Sequence, residues 1–194
     1  MNGLRCCAVL LLLVVVCALP PSVARGEPAT GWYLGGGLGL CHLDQEESRD
    51  EEADPGFHLG ATCGYRFDRW WALELETGFI HNGMPAGEDE EDLGGLTQVP
   101  VVLNGVVHFA NPSKLEPFLG AGAGLTLAST EEDSGGDATL LFKGGVRYRL
   151  SERAAIGLDY SFFMLGATSA LAEEAVGSDT FNLSVRLRLY RNRG

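Results

Sequence analysis

Nine charged residues in this chain of 194 residues stand at alternate positions between bulky apolar residues. In residues 181–190, FNLSVRLRLY, Arg186 and Arg188 alternate with valine and leucine. Such alternation is typical of a β-strand with one apolar and one polar face. If the polar faces are enclosed, these charges must pair, because an unpaired buried charge is very costly. The predicted ion network consists of Arg66, Glu74, Glu76, Lys143, Arg147, Arg149, Asp159, Arg186 and Arg188.

A second group of acidic residues lies in polar stretches without alternation, chiefly DQEESRDEEAD at 44–54 and EDEED at 88–92. Further acids at 131–133, 137, 173 and 174 are assigned to two more loops. The simplest interpretation is a solvated, self-repelling fringe. Carboxylate oxygens also suit calcium or magnesium, although no stretch has the EF-hand spacing. The candidate weak cation-binding acids are Asp44, Glu46, Glu47, Asp50, Glu51, Glu52, Asp54, Glu88, Asp89, Glu90, Glu91 and Asp92.

The histidines and cysteines give weaker signals. His42, His58 and His81 are predicted near one rim, where a surface metal site or an acid–base pair is conceivable. No nucleophile with a matching base is evident, so we expect neither catalysis nor a cofactor. Cys41 points inward and Cys63 outward by alternation, and their hairpin pairs Cys41 with about residue 58. Because a disulfide needs close α-carbons, both thiols are expected to be free.

Eight alternating segments carry these residues, each of roughly 10 to 12 residues, the length of a tilted strand that crosses a bilayer. Short connections are predicted after the second, fourth and sixth segments and long polar ones after the others, the pattern of an up-and-down barrel. The segments are 32–41, 57–67, 71–79, 98–108, 119–127, 142–150, 156–164 and 181–190.

The narrow width of an eight-stranded barrel determines which face of each strand points inward. The interior is barely wide enough for side chains, so the face of glycine, serine, threonine and charged residues fits there. A soluble barrel would have the reverse arrangement, and a bulky apolar belt in water is avoided. The sequence therefore predicts an all-β, eight-stranded antiparallel transmembrane barrel with a charged lumen.

Within this barrel the nine charges are expected to pair. Counting along the last hairpin places Asp159 beside Arg186, and Glu74 and Glu76 reach across to the cations of the sixth segment. The network is then an ion-paired plug. The alternative is a narrow, anion-preferring pore or a gate, because cations outnumber acids among these residues.

The N-terminus and the net charge define the remaining organisation. An early arginine, an apolar run at 6–19 and Ser22-Val23-Ala24 predict a cleaved signal peptide at 1–24. A short segment at 25–30, the barrel at 31–190 and a tail at 191–194 follow. The formal net charge of −12 argues against nucleic acid as a partner, because phosphate binding needs a basic surface.

Four stretches, GWYLGGGLG, WWALELETGF, KLEPFLGAGAGL and FKGGVRYRLSERAAIGLDYSF, resemble the small outer-membrane β-barrel family, which includes OmpX, OmpW and the membrane domain of OmpA. The resemblance covers residues 31–190. It implies a bacterial outer-membrane location with the long loops outside the cell. Members of the family range over adhesion, membrane integrity and small-solute passage, so it does not specify an activity.

We therefore expect a monomeric structural or surface-interaction protein without enzymatic activity. Its expected partners are outer-membrane lipid and lipopolysaccharide, with divalent cations or a basic surface partner at the acidic loops. The alternative is a narrow channel or small-ligand passage protein, and a weaker one is a membrane-embedded hydrolase.

Overall fold

The computed structural model describes residues 30–44, 56–82, 96–109, 113–129, 134–165 and 176–189, and within them it shows eight strands. These are β1 (Gly31–Asp44), β2 (Gly56–Arg66), β3 (Trp71–Asn82), β4 (Leu96–His108), β5 (Leu115–Ser129), β6 (Ser134–Arg149), β7 (Ala154–Leu165) and β8 (Val176–Arg188). Each strand pairs antiparallel with its neighbours in chain order, and β8 closes the barrel on β1. In this described part of the chain, no helix is long and apolar enough to cross a membrane.

The two faces of the wall are separated as alternation predicts. Leu158 and Leu38 expose 68% and 66% of their surface on the outside, and Leu187 on β8 is also exposed. Glu74 on the inner face is completely buried. Bulky apolar side chains therefore cover the outer surface of the barrel, and charged ones lie in the lumen, which confirms the predicted orientation.

The lumen also holds apolar side chains; alternation assigned Cys41 to the inward face, but the larger Ile80, Leu141 and Phe163 were not assigned to it. One buried cluster consists of Cys41, Ile80, Val102, Leu141 and Phe163. A second consists of Tyr33, Ala72, Val106 and Phe118. Along β3, Glu74 and Glu76 lie between Ala72 of one cluster and Ile80 of the other. The charges are thus packed between two apolar layers rather than lining an open passage.

The connection between β5 and β6 is short, which corrects the prediction of a long third loop. β5 ends at Ser129 and β6 begins at Ser134, earlier than the predicted start at residue 142. Asp137, predicted as a loop acid, is buried on β6 and pairs in register with Thr126. Its glycine- and serine-rich surroundings are typical of a loop. Pairing with β5 overrides this preference because it satisfies the backbone hydrogen bonds of the segment.

The register between β7 and β8 corrects a second prediction. Asp159 faces Asn182, whereas Arg186 faces Ala155. The predicted pairing of Asp159 with Arg186 was therefore four residues out of register. The reason is the long connection at 166–175, which carries no tight-turn signal to fix the register of the two strands.

A short turn joins β2 to β3 and is held by a side chain. The Asp68 carboxylate accepts hydrogen bonds from the backbone N–H groups of Trp70, at 2.6 Å, and Trp71, at 2.8 Å. These bonds, that of Trp70 first, lower the pKa of Asp68 below its ordinary value of 3.8 because they favour the charged form. This turn and the connections after β4 and β6 mark the short-turn end of the barrel.

Candidate functional site

Glu74 is the centre of the charges in the lumen. It accepts a 2.5 Å hydrogen bond from Lys143 Nζ, a 2.6 Å bond from the Tyr33 hydroxyl and a third bond from Arg186 Nη2. Arg147 Nη2 lies 3.7 Å from the same carboxylate. These partners come from β1, β6 and β8, so one carboxylate on β3 connects distant parts of the wall.

Tyr33 reaches Glu74 because its register neighbour on β2 is Gly64. A side chain at Gly64 would overlap the ring of Tyr33. The ring also lies under the Arg186 guanidinium, whose central carbon is 3.9 Å from the ring centre. Such a cation over an aromatic face is an attractive contact. The glycine therefore supplies the space in which a tyrosine and an arginine stack beside the central carboxylate.

Glu76 is the second carboxylate of this central cluster. Its Oε2 atom accepts a hydrogen bond from Lys143 Nζ at 2.5 Å and another from Asn104 Nδ2 at 3.2 Å. Lys143 thus bridges two carboxylates. The central cluster is Glu74, Glu76, Lys143, Arg147 and Arg186, which is five of the nine predicted network residues.

A smaller cluster around Glu116 lies nearer the short-turn end. Arg66 Nη1 donates to both carboxylate oxygens of Glu116, at 2.9 and 3.1 Å. His108 Nδ1 lies 2.9 Å from Oε1 of the same carboxylate. Arg66 was predicted in the network, but Glu116 was missed because the fifth segment was begun at residue 119 and β5 begins at Leu115. Gly120 faces inward, and alternate residues of a strand share a face, so extending the fifth segment backwards from Gly120 would have placed Glu116 in the lumen.

Arg147 connects the two clusters. Its guanidinium carbon lies 3.5 Å from the centre of the Phe118 ring, and its Nη1 atom is 3.4 Å from His108 Nδ1. Its other terminal nitrogen faces Glu74. One buried guanidinium therefore contacts members of the Glu74 cluster, the Glu116 cluster and the apolar packing of the lumen.

Asp159 belongs to a separate polar group. It accepts hydrogen bonds from Ser184 Oγ at 2.6 Å and from Asn182 Nδ2 at 3.3 Å. The Oδ1 atom of Asn182 lies 2.6 Å from His58 Nδ1. Asp159 is thus held by neutral groups, and no cation of the described residues lies within ion-pair distance of it.

Arg149 and Arg188, the last two predicted network residues, lie at the short-turn end. Arg149 Nη2 donates to the Ser113 carbonyl oxygen at 2.6 Å, and Arg188 Nη1 donates to the Glu152 carbonyl oxygen at 3.4 Å. Neither joins the Glu74 or the Glu116 cluster.

The three histidines lie near the long-loop end of their strands, as predicted, but they do not share one site because they face different ways. His58 is buried and faces the lumen. His81 contacts the outward Phe57 and Phe79 rings, and His42 stands at an outward position of β1. The reason is that His58 falls on the inward parity of its strand. Among the described residues, no group of three or more histidine, cysteine, aspartate or glutamate residues is placed to hold a metal ion.

The two cysteines of the barrel behave as predicted. Cys41 and Cys63 are free thiols. Cys41 is buried in the lumen, where its Sγ atom lies 2.8 Å from Asn82 Oδ1, and it pairs in register with Gly56.

The candidate cation-binding acids fall almost entirely outside the described residues. Asp44 is the last residue of β1 and pairs in register with Gly177, so it belongs to a strand rather than to a loop. The others lie outside the described ranges: Glu46, Glu47, Asp50, Glu51, Glu52, Asp54, Glu88, Asp89, Glu90, Glu91 and Asp92.

The free space around the charged clusters is small. A cavity of about 40 Å³ borders Glu74, Glu76 and Asp159, which is room for roughly three waters. A second cavity of about 20 Å³ opens at the short-turn end, and Arg147 and Arg186 border both. The arrangement can therefore fix the wall and bind small polar species, but a wide aqueous path through it is not present in the described residues.

A closed antiparallel barrel with an apolar outer surface and paired charges inside is the architecture of a transmembrane β-barrel protein. The family model of the outer membrane protein beta-barrel domain matches residues 8–188. The chain belongs to this family, as the four quoted stretches predicted, and it is a protein of the bacterial outer membrane.

Solved structures with the same fold include Neisserial surface protein A, which is 17% identical with a TM-score of 0.67 over 85% of this chain and 100% of that chain. OprG from Pseudomonas aeruginosa is 17% identical with a TM-score of 0.56 over 87% and 100%. The N-terminal β-barrel domain of Pseudomonas aeruginosa OprF is 14% identical with a TM-score of 0.52 over 83% and 99%. At these identities the likeness shows the fold alone. A comparison with curated proteins gives no match.

Proposed function

We propose that the protein is a non-conducting, non-enzymatic outer-membrane barrel with a structural or surface-interaction role. Its lumen acts as an ion-paired core that holds the wall closed, and its acidic loops form the surface that meets partners. The observation that carries this proposal is the convergence of Lys143, Arg147 and Arg186 on the fully buried Glu74.

The energetics of the lumen support a plug. Charges buried in a narrow bore are stable only when they are paired and hydrogen-bonded. Glu74, Glu76 and Glu116 each contact at least one cation directly. Opening a passage through these residues would separate several such pairs at once, which is unfavourable unless water replaces every lost contact.

Conductance in planar lipid bilayers tests the proposal. Folded protein is first identified by its different migration before and after boiling on a detergent gel. The expected result is the absence of steady open channels in the wild-type protein. Steady channels of uniform size from the wild type would contradict it.

A narrow channel or small-ligand passage protein is the second candidate, supported by the two cavities that meet at Arg147 and Arg186. It predicts small, anion-selective currents, because guanidinium groups line both cavities. The reversal potential in a salt gradient separates the candidates: a stable anion-selective potential favours passage, and leak currents without selectivity do not.

For the weaker alternative, a hydrolase, we considered the outward histidine His81. Its Nδ1 atom lies 3.1 Å from Thr97 Oγ1, a hydroxyl at hydrogen-bond distance from an imidazole. Nucleophilic catalysis also needs a third group that orients the base. Among the described residues, the other ring contacts of His81 are Phe57 and Phe79, and no carboxylate takes that place.

The acidic stretches at 44–54 and 88–92 support cation capture or a basic partner as the surface interaction. Calcium titration of the wild type against a variant with the five acids of 88–92 changed to Asn or Gln tests this. A calcium-dependent rise in thermal stability that is smaller in the variant is expected. Identical responses in both proteins would remove divalent cations from the proposal.

A further inference from the structure

The cavity at the short-turn end has an unusual charge balance. Its lining contains six guanidinium groups and two carboxylates, Glu116 and Glu152. Across the whole sequence, acidic residues outnumber lysine and arginine by 26 to 14. The cavity is therefore a local concentration of positive charge in an acidic protein, and such a concavity raises the local concentration of anions.

Three of the six arginines are already paired with carboxylates. Arg66 binds Glu116, and Arg147 and Arg186 face Glu74. The other three are Arg149, Arg153 and Arg188. Among the described residues, no carboxylate lies within ion-pair distance of any of these three.

The hydrogen bonds of the unpaired arginines leave several donors unused. Arg149 and Arg188 each bond one backbone carbonyl oxygen, and the bond of Arg188 is long at 3.4 Å. The Nε atom of Arg149 is buried and has no hydrogen-bond partner among the described residues. A buried donor without an acceptor is costly, so this part of the lumen favours an added acceptor.

The strand register creates the space for such an acceptor. Arg149 on β6 pairs with Ala155 on β7, which in turn pairs with Arg186 on β8. The three positions form one inward row in which the middle side chain is a single methyl group. Two guanidinium-bearing strands thus flank a gap, which Arg153 and Arg188 border at the short-turn end.

We propose that the mouth of this cavity, at the short-turn end of the barrel, binds a phosphate group whose oxygens enter the space of about 20 Å³. Guanidinium groups donate in a planar fork that suits phosphate oxygens. Arginines from β6, β8 and the connecting turn border the cavity, so the several oxygens of a phosphate group can accept from more than one of them. The site is independent of whether the lumen conducts, so it goes beyond the proposed function.

Isothermal titration of the folded barrel with inorganic phosphate at low ionic strength tests the proposal, with chloride at equal ionic strength as the reference. Saturable binding is expected in the wild type. R149Q and R188Q should each weaken it at least tenfold. R69Q and K114Q are matched controls, because each removes one positive charge near the same end of the barrel but outside the cavity. In the wild type, Arg69 lies over the Trp70 ring and Lys114 over the Tyr148 ring. The two controls should change affinity less than twofold.

A further variant, A155E, places a carboxylate in the gap and should abolish phosphate binding while it retains the arginines. If an arginine variant fails to fold, A155E still tests the proposal. Failure to fold is detected by migration on an unboiled gel. Equal weakening by the cavity and control variants, or unchanged binding in A155E, would overturn the proposal. So would a wild type that binds neither phosphate nor lipid headgroup.

The source of the phosphate is distinguished by a second arm with short-chain phosphatidylglycerol. Saturable binding of inorganic phosphate that the lipid does not displace assigns the site to a soluble phosphate. Binding of the lipid alone, sensitive to R149Q, assigns it to a lipid headgroup. Both results keep a phosphate group as the ligand, and lipid binding that is insensitive to R149Q counts against the site.

Discussion

Replacement of Glu74 by glutamine should strongly destabilise the barrel. The side chain keeps its shape and one acceptor oxygen, so little packing is lost, but the negative charge among Lys143, Arg147 and Arg186 disappears. Glu76 then remains as the carboxylate next to Lys143. Removing one partner of a buried ion pair costs about 3–5 kcal/mol because the opposite charge stays buried. We therefore expect the free energy of unfolding to fall by about 3–5 kcal/mol.

Urea unfolding of the barrel in lipid vesicles measures this change. With a denaturant slope of about 2–3 kcal/mol/M, the unfolding midpoint should fall by about 1–2.5 M. Glu90→Gln is the matched control, since it makes the same chemical change in the acidic stretch at 88–92, outside the eight strands. It should alter the free energy by less than about 0.5 kcal/mol. A loss below about 1 kcal/mol in E74Q, or equal losses in both variants, would refute the role of Glu74 as the buried centre of the network.

Two further predictions concern the wall and a turn. A Cβ atom at Gly124 would overlap the backbone of β4, whereas a Cβ atom at Gly105 would have its nearest neighbour at 3.9 Å. Gly124→Ala should therefore lower the free energy of urea unfolding by about 1–3 kcal/mol. Gly105→Ala should leave it unchanged. Equal effects would contradict the register at Gly124. The lowered pKa of Asp68 means that its turn is fully stabilised above pH 3.8 and loses this stabilisation as the pH falls through the lower folded-state pKa. The Trp70 amide resonance should therefore titrate with a midpoint below pH 3.8 in NMR spectra, and Asp68→Asn should abolish that titration.

Alternation alone predicted which way most side chains point. The inward Arg186 and outward Leu187 follow from a period of two, which is a local property of any extended strand. The buried Tyr33 and Phe118 also fall on inward positions, and their size is accommodated by glycines such as Gly64. The preference for small side chains in the lumen was therefore wrong at these two positions, as it was at the buried Ile80, Leu141 and Phe163.

Partners across the lumen were harder to predict than faces. Asp159 was assigned to Arg186 because a hairpin count needs the position of the turn, and long loops hide it. Glu116 was missed because the fifth segment was begun at residue 119, whereas β5 begins at Leu115, and strand ends are the hardest part of an element to locate from sequence. The reach of Glu74 across the lumen to the sixth segment was predicted, but which of its cations Glu74 contacts depends on how the closed barrel staggers its strands, which no single segment of the sequence specifies.

The orientation of the wall is tested most directly by a nitroxide spin label in the acyl chains of the lipid, read by NMR of methyl-labelled protein. The label should broaden the methyl resonances of Leu38 and Leu158, which are 66% and 68% exposed on the outer face. It should spare those of Val102 and Leu141, which are 1% and 0% exposed in the lumen. Equal broadening of all four residues, or stronger broadening of Val102 and Leu141, would contradict a barrel with its apolar face in lipid and its charges enclosed.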